Sequence, residues 1–100
     1  MTEHPKPAQP TPAQLDVKIG DDELKGRYAN LLRVTHTREE FVLDFIQVVA
    51  PQGIVTARVV TSPAHLKRIV QALAANLGRY EESFGPIGES ADPAQGRPVH

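Results

Sequence analysis

Asp44 is the one charge in an otherwise apolar run, Val42-Leu43-Asp44-Phe45-Ile46. A carboxylate there is costly unless something pairs with it. Arg33 and Arg58 lie in the β-forming segments on either side, where antiparallel pairing would set both beside it. A carboxylate between two guanidiniums can close a cross-strand ion pair or receive a charged group. The expectation is the structural pairing, within a dimer interface that also takes in Ile46. A ligand site is the functional alternative.

His36 and His65 are the histidines of the folded part. A metal site would require them to converge with Asp44 or Glu40, and no H-x-x-x-H or HExxH spacing demands it. The expectation is no metal, with His65 capping or packing near the first helical turn. Ser62, His65 and Lys67 form a candidate anion site, because free N–H groups at a helix start attract negative charge. Lys67 and Arg68 near that start, with Glu81 and Glu82 near the end, oppose the helix macrodipole. Either these charges form a solvated face, or Lys67 and Arg68 meet an anion or an acidic partner. Ser62, Ser83 and Ser90 stand at a cap, a helix end and a tail, with no oriented His-acid pair. No phosphate-cradling glycine loop is present. No cofactor is implied, and the chain is not expected to be an enzyme.

These residues need elements to position them. Leu15, Val17 and Ile19 alternate with polar residues, as in a short half-buried strand. Residues 28–37 and 41–49 read as a hairpin in which Thr37 faces Glu40. That register sets Val34 against Leu43, Leu32 against Phe45, Arg33 against Asp44 and Asn30 against Gln47, the last two either hydrogen-bonding each other or marking the sheet's rim. Ala50-Pro51-Gln52-Gly53 reads as a turn into a last strand over 54–61. A three-residue loop would place Val55, Ala57 and Val59 on the apolar face, and Thr56, Arg58 and Val60 on the Asp44 face.

Ser62-Pro63 starts a helix, with serine as cap and proline in the first turn. Leu66, Ile69, Val70, Leu73, Leu77, Tyr80 and Phe84 then form one stripe at helical spacing. Gly85-Pro86 ends it. The fold class is α+β: an antiparallel sheet of three to four strands with one long C-terminal helix packed on its Tyr28/Leu32/Val34/Leu43/Phe45/Val59 face. The other face, with Leu31, Val42, Ile46, Val48 and Val60, then needs a partner, and a homodimer is expected. On this reading Leu73→Asp abolishes folding, and Ile46→Glu yields a soluble monomer.

The domain spans 15–85. Residues 1–14 hold four prolines and almost no bulky apolar side chain, so they read as a disordered arm; 86–100 reads as a disordered tail. A core this small is marginal, and the chain has no cysteine to reinforce it, which leaves oligomerisation. With 11 basic and 12 acidic residues the net charge is −1, so no global field draws the chain to nucleic acid or membrane. No apolar run suits a signal peptide or a membrane span, and a cytoplasmic location is expected. The aromatics lack the interleaved basic residues of a stacking platform.

Tyr28-Ala29-Asn30, Glu40-Phe41-Val42-Leu43-Asp44-Phe45, Thr61-Ser62-Pro63 with His65 and Lys67, and Tyr80-Glu81 with Phe84-Gly85 occur in this order. The chain over 26–87 resembles in them a small bacterial family of unknown function, DUF3467. The resemblance covers about two-thirds of the chain. It implies no catalytic residue and no reaction. The leading expectation is a non-enzymatic protein-interaction module, homodimeric and able to bind a further protein. One alternative is an accessory factor of nucleic-acid machinery, binding a protein or the phosphate backbone through Arg33, Arg58, Lys67 and Arg68. The other is a small metal binder or enzyme using His36, His65 and Asp44.

Overall fold

The computed structural model describes residues 15–90 and 92–95. The arm expected over 1–14 lies outside the described residues. The elements run α1 (Asp21–Lys25), β1 (Leu31–His36), β2 (Phe41–Val49), β3 (Gln52–Thr61) and α2 (Pro63–Phe84), followed by a 3-10 turn at Pro93–Gln95. The strands form one antiparallel sheet in the order β1-β2-β3. The fold is α+β, as the pattern of residues indicates.

The β1–β2 register is the expected one. Val34 pairs with Leu43, Leu32 with Phe45 and Arg33 with Asp44, and the Thr37 N–H donates to the Glu40 carbonyl at 3.0 Å. One detail differs. Asn30 does not bond Gln47; its amide accepts from the Val48 N–H at 2.8 Å and donates to the Val48 carbonyl at 3.1 Å. A side-chain amide reproduces both backbone partners where β1 has not yet begun, so it extends the ladder by one pair.

The β2–β3 register matches expectation from Phe41 to Phe45 and shifts beyond it. The connection is a two-residue turn, Ala50-Pro51 with a cis peptide, between paired Val49 and Gln52. A bulge at Thr56 then restores the offset that a three-residue loop would have given. Thr56 is therefore outside the pairing, and its hydroxyl lies 3.1 Å from the Phe45 carbonyl and 3.2 Å from that of Tyr28. Val55 consequently pairs with Ile46 and joins the Asp44 face instead of the apolar one.

Residues 15–20 form no strand: they are unpaired, and Leu15, Val17 and Ile19 are exposed. They pair with neither outer edge of the sheet, on β1 or on β3, so alternation alone does not make a strand. The sheet therefore has three strands. Its buried side chains are few: Leu43 on one face, Asp44 and Ile46 on the other. The 3-10 turn, within the stretch whose composition suggested a disordered tail, packs against β2. Its Ala94 shares a groove with Leu31, Arg33, Ile46 and Val55.

α2 is capped as expected. The Ser62 hydroxyl accepts from the His65 N–H at 3.2 Å. Gly85 closes the last turn, its N–H donating to the Glu81 carbonyl at 2.8 Å, and its φ of 89°, open to a residue without Cβ, then carries the chain out of the helix. The expected packing of α2 across its own sheet is not what the chain adopts. Leu66 and Ile69 are half-buried, but every later member of the stripe is exposed, up to 75% at Phe84. The reason is the connection. Only Ser62, extended at φ −81° and ψ 161°, separates β3 from α2. Strand-to-helix links that turn back onto the sheet ordinarily use two to six residues.

Candidate functional site

Two features could carry function: the Asp44 cluster on one sheet face, and the apolar stripe of α2 with the groove at its base.

Asp44 is central because β2 is the middle strand. Arg33 on β1 and Arg58 on β3 are its cross-strand neighbours on both sides. Arg58 clasps it in a fork, Nε donating to Oδ1 at 2.7 Å and Nη2 to Oδ2 at 2.9 Å. The Arg33 Nη2 lies 3.6 Å from Oδ2. The carboxylate is 3% exposed. The two guanidinium side chains remain mostly in solvent, at 62% and 61%. The hydrogen bonds from Arg58 hold the Asp44 carboxyl below its usual range against the opposing cost of burial, with the charges of Arg58 and Arg33 adding to the effect. The bond to Asp44 likewise raises Arg58 above its ordinary value. Such a carboxylate stays ionised at neutral pH, with both oxygens engaged. It suits holding three strands together, not moving protons or binding metal.

The remaining predicted residues are not gathered into one site. Ile46, expected at an interface, is 7% exposed within the single chain. The oxygen of Ser62 is engaged by the helix it caps. His65 turns its Nδ1 to an Arg68 guanidinium nitrogen. Lys67 lies two residues on, a spacing that puts it on a different side of the helix, and it lines the α2 groove. His36 packs on Phe41, ring centroids 5.0 Å apart. Among the described residues no three His, Asp or Glu side chains come together in a way that could hold a metal ion. No helix described is long and apolar enough to cross a membrane.

The groove at the base of α2 is lined by Phe41, Pro63, Leu66, Lys67, Val70 and Gln71. Above it the stripe continues through Leu73, Leu77, Tyr80 and Phe84, with the last two rings 4.9 Å apart. On the sheet, Leu32, Val34 and Val59 are also partly open on the face that α2 was expected to cover. Residue reasoning found every member of this stripe but assigned it to the core. The signal for the opposite reading is the single residue between β3 and α2, too short a link for the helix to double back.

No curated protein and no solved structure matches the chain. A family described as "Protein of unknown function (DUF3467)" matches residues 1–89, and the chain belongs to that family.

Proposed function

We propose that this chain is a cytoplasmic, non-enzymatic protein-interaction module that self-associates as a homodimer through the apolar stripe of α2. One observation carries the reading: Val70, Leu73, Leu77, Tyr80 and Phe84 follow one another along one helix and are each at least half exposed. Stripes of this size are ordinarily covered by a partner. The thin core of the single chain supports the same reading, since association would add the apolar burial it lacks. The chemistry-bearing side chains favour no reaction: Asp44 is saturated by arginines, Ser62 caps a helix and His36 packs against the Phe41 ring. The nucleic-acid alternative is weakened because Arg33 and Arg58, two of its four cations, lie against Asp44. The test is solution mass by light scattering over a range of protein concentrations. A mass twice that of the 10.9 kDa chain supports the reading; a monomer at every concentration refutes it.

A further inference from the structure

The stripe of α2 has a stricter period than an amphipathic helix requires. Its members other than Ile69, which flanks them, are Leu66, Val70, Leu73, Leu77, Tyr80 and Phe84, separated by steps of four, three, four, three and four residues. That is the 3.5-residue repeat of a two-helix seam, in which Leu66, Leu73 and Tyr80 take one position and Val70, Leu77 and Phe84 the other. From the charges and sizes along this seam we infer that two copies of the chain pair α2 against α2 in antiparallel orientation, in one register. The inference rests on the self-association reading and adds its geometry.

In that register Leu73 meets the partner's Leu77, Val70 meets the partner's Tyr80 and Leu66 meets the partner's Phe84. Each outer layer sets a smaller side chain against a larger one, as close packing requires. The layer at the helix base has a place for its aromatic. Phe84, 75% exposed, would enter the groove formed by Phe41, Pro63, Leu66 and Val70 in the other copy.

The charges fit the same orientation and no other. Lys67 and Glu81 are 14 residues apart and flank the seam on the same side. In an antiparallel pair that side of one helix runs beside the same side of the other, so Lys67 faces the partner's Glu81 at both ends of the seam. The Glu81 Oε2 accepts from the Ile87 N–H at 3.2 Å, which leaves Oε1 for the lysine. A parallel pair would gather Lys67 and Arg68 of both copies at one end and Glu81 and Glu82 at the other. The placement that opposes each helix's own macrodipole is therefore complementary to its antiparallel neighbour. The sheets, attached at the N-terminal ends of α2, would sit at opposite ends of the pair.

Orientation is read by disulfide trapping, which the absence of native cysteine makes clean. Chains carrying Val70→Cys, mixed with chains carrying Tyr80→Cys, are expected to oxidise to a linked heterodimer, while Val70→Cys alone stays unlinked. Linkage of Val70→Cys to itself, without the heterodimer, would indicate a parallel pair and overturn the inference while leaving self-association intact. A monomeric wild type would remove both. Charge exchange gives a second readout. Lys67→Glu should weaken the dimer by about 2- to 30-fold, the range expected for two exposed ion pairs, and Lys67→Glu with Glu81→Lys should recover it. Lys67→Glu sets no unfavourable charge at the helix start, and Glu81 also accepts from the Ile87 N–H, so the Lys67 change alone is the cleaner reading of the interface. A single exchange that leaves dimer affinity unchanged, or a double exchange that fails to recover it, refutes the facing pair.

Discussion

Leu73→Asp and Ile46→Glu exchange their expected consequences once the structure is considered. Leu73 is 65% exposed and Ile46 is 7% exposed. Fully burying a leucine contributes about 1.5–3 kcal/mol. The exposed share of Leu73 then leaves about 1–2 kcal/mol to be gained on association, or about 2–4 kcal/mol for the two copies in a symmetric dimer. Losing that term weakens the dimer roughly 30- to 700-fold, at 1.4 kcal/mol per tenfold. An aspartate adds the cost of desolvating its charge, so the variant should be monomeric where the wild type is dimeric. Its sheet should persist, because Leu73 touches none of the strand pairing.

Ile46→Glu acts on the sheet itself. It puts a carboxylate between Leu31 and Val55 in the central strand, where the side chain is buried and the nearby Arg33 is already drawn to Asp44. That variant should unfold instead of dissociating. The assay is far-UV circular dichroism with thermal melts at several concentrations, alongside light scattering. The wild-type midpoint should rise with concentration. Leu73→Asp should keep a cooperative melt that has lost its concentration dependence. If Leu73→Asp destroys the strand signal while Ile46→Glu gives a folded monomer, α2 covers its own sheet and the reasoning fails.

Asp44 predicts a pH dependence whose sign follows from its lowered pKa. The folded value lies below the unfolded one, so its contribution is complete above about pH 4 and is lost as pH falls toward the folded value. Urea midpoints of wild type and Asp44→Asn should therefore converge toward acid pH; a constant gap would contradict the pairing. Asn30→Ala leaves the Val48 N–H and carbonyl without their partner and should cost about 1–3 kcal/mol in denaturant melts. No loss there would mean water serves equally well. Gly85→Ala at φ 89° should cost about 1 kcal/mol of α2 stability, seen as fraying in hydrogen exchange of the last turn.

The hairpin was legible because pairing register is a parity problem. Setting Thr37 against Glu40 decided every pair down to Leu32 and Phe45, and with them the meeting of Arg33 and Asp44. The Thr56 bulge was not legible. A three-residue loop and a two-residue turn followed by a one-residue bulge give the same pairs beyond it, so the pattern that fixed Asp44 against Arg58 could not distinguish them. The difference appears only between the turn and the bulge, where Ile54 and Val55 each change face. Residues 15–20 misled because alternation records what a strand would bury, not whether it pairs with an edge, and here neither outer edge takes it up.

The stripe of α2 misled for a deeper reason. Helical periodicity shows that a face must be covered, but contains nothing about which chain covers it. That information resides in two other places. One is the link: with Ser62 alone between Thr61 and Pro63, the helix inherits its direction from the strand and leaves the sheet. The other is charge order. A helix stabilised only within its own chain gains from acidic residues at its start and basic ones at its end. The first turn of α2 has no acidic residue and its last has no basic one, while Lys67 and Glu81 stand the other way round. That charge order is unfavourable to the single helix and complementary to an antiparallel copy of it, which is why the inferred pairing, and not the helix alone, accounts for it.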